Sequence, residues 1–75
     1  MANHTRVLTV SPHDAEVLRH QVRAKSSPAR VVERSRIVLL AAEGLPAHAI
    51  AERIGCSRPT VVLWRQRYSQ GGLDA

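Results

Sequence analysis

The chain has 75 residues, of which 44% are hydrophobic and only Trp64 and Tyr68 are aromatic, so its length allows one small core of aliphatic side chains. A single cysteine, Cys56, excludes an intrachain disulfide and a multi-cysteine zinc site. Eleven basic residues against six acidic ones give a formal net charge of +5, which favours a polyanion as partner.

The first helix is predicted from a start signal. The tetrapeptide Ser11-Pro12-His13-Asp14 offers a serine N-cap, a proline at the first helical position and an acid at the third. We expect the helix to run from about Pro12 to Ala24. Residues 1–10 precede it and are assigned to an N-terminal arm, with a short extended stretch from Arg6 to Val10.

The second helix is predicted from the same serine–proline signal, at Ser27-Pro28, and should run to Glu43, where Gly44 stops it. Residues 37–42 are six consecutive apolar residues. A helix that is apolar all round is contacted from more than one side, so we expect this helix to be central.

Two shorter helices follow. The third should open at Pro46, with Leu45 as a poor N-cap, and end near Ile54. Ser57 is predicted to cap a fourth helix from Arg58 to about Ser69. Residues 71–75 contain a Gly-Gly pair and are assigned to a tail or the start of a linker, without regular structure.

Residues 47–66 carry the packing pattern of a helix-turn-helix, in which two short helices cross and the second lies in the DNA major groove. Ala51 is small at the point where the second helix of the motif crosses the first. Gly55 lies where the first helix of the motif ends and the backbone needs positive φ. The remaining positions of the pattern are apolar: Ile50, Ile54, Cys56, Val61 and Trp64. The fold class predicted is therefore all-α, a small four-helix domain over residues 11–70 that contains a helix-turn-helix.

Basic residues concentrate around this motif. Four arginines and no acid lie between Arg53 and Arg67, and six basic residues meet only Glu33 between Arg19 and Arg36. Such a distribution is the electrostatic footprint of a nucleic-acid-binding protein. For the exposed cations away from the motif, contact with DNA and simple solvation both stay open: Arg19, Arg23, Lys25 and Arg30.

The fourth helix, drawn at 100° per residue, directs Val61, Trp64 and Tyr68 to the core and the opposite side outward. On the outward side, Arg58 is matched to guanine, Gln66 to adenine, and the apolar pair Val62 and Leu63 to thymine methyl groups. Polar residues beside them are assigned to phosphates. Phosphate contacts position the protein on DNA without specifying sequence. The predicted DNA-binding residues are His48, Ser57, Arg58, Pro59, Thr60, Val62, Leu63, Arg65, Gln66 and Arg67.

The sequence gives little support to a metal site or to catalysis. His13 and His20 are separated by about 10 Å along a helix, too far to share one metal ion, and no metal or other cofactor is predicted. The sequence has neither a pair of carboxylates placed for catalysis nor a glycine-rich phosphate loop. The chain is therefore not expected to be an enzyme by itself. Cys56 is expected to pack in the core, and no small-molecule or membrane partner is expected.

One string, from Arg34 to Gly44 (RSRIVLLAAEG), is followed by Ile50 to Gly55, Ser57, Thr60-Val61, Trp64, Arg67-Tyr68 and Gly71-Gly72-Leu73. Together these residues resemble the N-terminal DNA-binding region of mariner-related bacterial insertion-sequence transposases of the insertion sequence 630 group. The resemblance covers nearly all of the chain from Leu8 on. It implies a homeodomain-like or paired-like module that recognises the terminal inverted repeats of a mobile element. A second DNA-binding half and a catalytic domain with a metal-binding acidic triad follow in that family, and neither lies within these residues.

The function expected is therefore sequence-specific binding of double-stranded DNA, most simply as the end-recognition module of a transposase in the bacterial cytoplasm, at the nucleoid. Two alternatives stay open. One is a stand-alone transcriptional regulator that acts as a homodimer at a palindromic site. The other is a protein-interaction module that uses the exposed Val62 and Leu63.

Overall fold

The computed structural model describes residues 8–74, which form four α-helices and a terminal 3₁₀ turn, with no strand among them. The helices are α1 (Pro12–Arg23), α2 (Ala29–Ala42), α3 (Ala47–Ile54) and α4 (Arg58–Gly71), and the turn spans Gly72–Asp74. The all-α, four-helix prediction is confirmed. Most of the predicted arm, residues 1–7, lies outside the described residues.

Helix α2 packs against each of the other three helices, as expected for a central helix. Its side chains Ile37 and Ala41 form one fully buried cluster with Ile50 of α3 and Val61 of α4. Ala51 completes the cluster on α3. Around this core lie partly buried apolar side chains, namely Leu8, Leu40, Leu45, Ala47, Ile54, Cys56 and Trp64. The core therefore joins the helix-turn-helix to the helix that precedes it.

Two hydrogen bonds anchor α1 to the rest of the domain. The Ser35 hydroxyl, 1% exposed, donates to Gln21 Oε1 at 2.8 Å. The Tyr68 hydroxyl of α4 donates to Asp14 Oδ2 at 2.5 Å. Because Asp14 lies in the first turn of α1, this second bond fixes the rotation of α4 relative to α1.

Two predicted helix starts are wrong by one residue each. The amides of Val31 and Val32 donate to the Pro28 carbonyl at 3.0 and 3.1 Å, so Pro28 takes the N-cap position that Ser27 was expected to hold. The Ser27 amide instead closes a turn to the Ala24 carbonyl at 3.2 Å. Helix α3 likewise has Pro46 as its N-cap, where Leu45 was expected, and neither helix has a side-chain cap.

Both ends of the described residues, 8–74, have structure that was not predicted. Residues 72–74 were expected to lack structure but form the 3₁₀ turn after α4. At the other end, the Leu8 amide donates to the Ala41 carbonyl at 3.3 Å, and the Leu8 side chain packs against the core. The last residues of the predicted arm thus lie against the helical body.

Candidate nucleic-acid interface

The turn between α3 and α4 is built around Gly55, which has φ 86° and ψ 35°. The amides of Gly55 and Cys56 both donate to the Ala51 carbonyl, at 2.8 and 3.0 Å, and so close the end of α3. The Ala51 side chain is only 6% exposed at the crossing of the two helices. The small residue and the left-handed glycine predicted for this turn are both confirmed.

The beginning of α4 is capped by Ser57, as predicted. Its hydroxyl oxygen accepts the Thr60 amide at 3.3 Å and lies 2.8 Å from the Thr60 hydroxyl oxygen. Because one hydroxyl donates to the other, the second keeps its own hydrogen for an external acceptor. An exposed helix N-terminus with a spare hydroxyl donor is well suited to an anion such as a phosphate.

The outward face of α4 carries the residues that the sequence analysis matched to bases. Val62 is 52% exposed and Leu63 is 41% exposed, and no other large apolar side chain among residues 8–74 is exposed. These two side chains and three exposed neighbours line one shallow, open depression: Arg58, Pro59, Val62, Leu63 and Gln66. The fold therefore brings the four predicted base-contacting residues together with Pro59 on one surface.

Trp64 faces inward and is stacked by two guanidinium groups. The Arg34 guanidinium carbon, from α2, lies 4.9 Å from the centre of the ring system, and that of Arg67 lies 5.0 Å from it. Both distances fit cation–π contacts. Arg67 was assigned to a phosphate, and the fold places its guanidinium beside Trp64, although the residue remains exposed. Sequence reasoning missed Arg34, because nothing local links it to a residue thirty positions later.

Arg65 is half-buried and lies beside the exposed face of α4, where it was expected. It lines a groove between α4 and the N-terminal segment, together with Leu8, Thr9, Val62 and Gln66. His48 is exposed on the first turn of α3, apart from the depression on α4.

The electrostatics of this region favour a polyanion. No acidic residue occurs from Ile54 to Gly72, whereas Arg58, Arg65 and Arg67 all lie in that stretch. The positive charge of α4 is therefore not neutralised by carboxylates of its own helix.

Two groups have shifted pKa values that bear on their roles. Burial raises the pKa of the Cys56 thiol, and Glu33 adds to the shift, so the thiol stays protonated and unreactive while it packs beside the core. Burial and the hydrogen bond to Asp14 raise the pKa of the Tyr68 hydroxyl to about 12. Within residues 8–74, no three His, Cys, Asp or Glu side chains are close enough to hold a metal ion.

The crossing of α3 and α4, the capped start of α4 and the presence of basic but no acidic residues on α4 define a helix-turn-helix domain of the DNA-binding class. A family model described as a homeodomain-like domain matches residues 28–75, which include α2, α3 and α4. The chain belongs to this homeodomain-like family. No curated protein and no solved structure matches it. In the part of the chain that the structure describes, no helix is long and apolar enough to cross a membrane.

Proposed function

We propose that this domain reads double-stranded DNA in a sequence-specific manner through α4, as the module of a transposase that recognises the inverted-repeat ends of a mobile element. The observation that carries the proposal is the depression on α4, where hydrogen-bonding and apolar side chains share one exposed surface on a helix that has no acidic residue. The transposase role rests on the resemblance of residues 34–73 to that group of enzymes.

The spacing of residues along α4 fits base contacts. Arg58, Val62 and Gln66 are four residues apart, about 6 Å per step along the helix axis. Base pairs rise about 3.4 Å, so the stretch from Arg58 to Gln66 spans roughly three to four base pairs. Arg58 donates to guanine and Gln66 pairs with adenine, while Val62 and Leu63 contact the groove between them.

Polar groups around the depression position the domain on the backbone. The spare hydroxyl donor of the Ser57–Thr60 pair, at the start of α4, donates to one phosphate, and Arg65, Arg67 and His48 approach others. A single module of this kind buries only about 600–1,000 Å² of its surface on DNA. Its affinity is therefore modest and falls steeply as salt rises, and high specificity needs a second module or a dimer.

The test is a selection of duplexes from a random pool at two salt concentrations, followed by fluorescence-anisotropy titration of the enriched sequence. We expect one motif, bound more weakly at the higher salt concentration. Arg58→Ala and Gln66→Ala should each relax the preference at one base pair by about 1–3 kcal/mol. Arg23→Ala on α1 removes the same charge, and Gln70→Ala truncates the next glutamine of α4, so these variants are the matched controls. A loss of preference from neither Arg58→Ala nor Gln66→Ala would overturn the assignment of these residues.

The enriched sequence also separates the transposase from its nearest rival. An asymmetric motif found at the inverted-repeat ends of a mobile element supports the end-recognition module. A palindrome beside a promoter supports a dimeric transcriptional regulator with the same fold.

The exposure of Val62 and Leu63 favours one further candidate, a surface for a protein partner. That function predicts no DNA binding even at low salt. It also predicts that Val62→Asp abolishes capture of the partner while Arg58→Ala has little effect.

A further inference from the structure

The centre of the proposed reading surface is apolar, and this has a chemical consequence for the DNA it prefers. Val62 and Leu63 are adjacent, exposed, and flanked in the same depression by Arg58 and Gln66. The depression is lined by Arg58 on a helix that carries no acidic residue, which favours a polyanion as its occupant over another apolar protein face. The apolar feature that DNA offers in the major groove is the methyl group on C5 of thymine.

We propose that Val62 and Leu63 make this domain a reader of the pyrimidine C5 methyl group, so that thymine and 5-methylcytosine are accepted alike at the central positions while uracil and unmethylated cytosine are both disfavoured. The inference rests on the proposed function, because it names the chemical group that the same surface of α4 selects.

The equivalence of the two methylated bases follows from what valine and leucine lack. Thymine presents an oxygen acceptor at C4, and cytosine presents an amino donor there. Neither Val62 nor Leu63 has a donor or an acceptor with which to distinguish them. Methylated cytosine carries its methyl group at the same ring position as thymine, so an apolar contact gains the same buried area from either base.

Hydrogen-bonding residues flank this contact. Arg58 and Gln66 each lie four residues from Val62, about 6 Å along the axis, which is nearly two base-pair steps. The methyl-bearing pair therefore lies between the pairs that Arg58 and Gln66 read. Burial of one methyl group corresponds to about a fourfold gain in affinity. Cytosine methylation inside the site would thus tighten binding by that factor.

The experiment is a set of four duplexes at each central position of the selected site, with thymine, uracil, cytosine or 5-methylcytosine as the only change in that strand. The complementary purine is adenine for the first two and guanine for the last two. Titration by fluorescence anisotropy should give about fourfold tighter binding for thymine than for uracil. The same ratio is expected for 5-methylcytosine over cytosine, because each comparison changes one methyl group and nothing else.

Protein variants then assign the effect to its side chains. Val62→Ala and Leu63→Ala shorten the exposed side chains, and each should remove the methyl ratio at one base pair. Val31→Ala makes the same truncation on α2 and should keep both ratios. Intermolecular nuclear Overhauser effects between the base methyl group and the methyl groups of Val62 or Leu63 provide a direct readout of the contact.

Three results would overturn the inference, and they differ in what else they affect. If a specific duplex is bound but the affinity ratios of thymine to uracil and of 5-methylcytosine to cytosine are near one, the domain reads DNA without recognising the methyl group. Ratios that persist in the double variant Val62→Ala, Leu63→Ala assign the effect to DNA shape. The absence of duplex binding at low salt overturns the proposed function together with the inference.

Discussion

Val61 and Val62 are neighbours on α4 with the same side chain and opposite environments. Val61 is 0% exposed and touches the cluster of α2 and α3, whereas Val62 is 52% exposed on the depression. The difference arises because successive residues of a helix are turned by 100°. One helix therefore belongs to two surfaces, and its inner face fixes the position from which its outer face meets a ligand.

The largest expected effect on stability comes from truncating Val61, and truncating Val62 provides the comparison. Val61→Ala removes two buried methyl groups and leaves a cavity, so it should lower the free energy of unfolding by about 2 kcal/mol. Val62→Ala should change it by less than about 0.5 kcal/mol. Urea denaturation followed by far-UV circular dichroism measures both values. Equal losses from the two variants would contradict the division of α4 into a core face and an exposed face.

The next comparison sets Gly55 against Gly71, two exposed glycines near the ends of helices α3 and α4. Gly55 has positive φ, although an added Cβ would meet no atom within 4 Å. Gly55→Ala should therefore destabilise the fold by roughly 1–2 kcal/mol through backbone strain alone. Gly71 is the last residue of α4, and Gly71→Ala should stabilise the helix by roughly 0.5 kcal/mol. The same denaturation assay checks both signs, and a neutral Gly55→Ala would refute the requirement for a left-handed turn.

The bond from Tyr68 to Asp14 is expected to have a smaller, pH-dependent effect. Tyr68→Phe should lower the unfolding free energy by about 1 kcal/mol at neutral pH, since the partly exposed Asp14 can be hydrated instead. Folding raises the pKa of Tyr68 from 10.0 to about 12, so the folded state retains the proton more strongly than the unfolded chain. The stabilisation is therefore fully present below pH 10 and is lost as pH rises through about 12.

The measurement is the difference in stability between the natural chain and Tyr68→Phe across this alkaline range. Taking the difference cancels the titration of the groups that the two proteins share. A difference that stays constant from pH 9 to about pH 12 would show that the hydroxyl is not shifted by burial and Asp14.

The sequence predicted local features well and distant contacts poorly. Gly55 and Ser57 were identified because the turn and the cap depend on residues within four positions of each other. The same logic failed at Ser27, because its amide is held in the preceding turn to Ala24 and Pro28 begins the helix. A serine–proline pair thus indicates that a helix is near without fixing its first residue.

Contacts across the fold depend on how helices pack, which no local pattern contains. Tyr68 was placed on the inner side of α4, but its partner Asp14 lies 54 positions earlier. The five residues of the depression were predicted together because a single helix carries them all. For the candidate site, the helical periodicity of α4 was therefore enough to predict its exposed face. The fold was needed to show which arginines lie beside Trp64.

The smallest effect separates those two arginines. Arg34 and Arg67 both stack on Trp64, so Arg34→Ala and Arg67→Ala should each lower the free energy of unfolding by about 0.5–1 kcal/mol. Only Arg67 lies on α4 and is assigned to a phosphate. Arg67→Ala should therefore also reduce the slope of log affinity against log salt by about one, with every sequence weakened alike, whereas Arg34→Ala should leave the slope unchanged. Paired denaturation and salt titrations decide the point. An unchanged slope in Arg67→Ala would restrict that side chain to support of Trp64, and the phosphate contacts would then be left to Ser57, Thr60, Arg65 and His48.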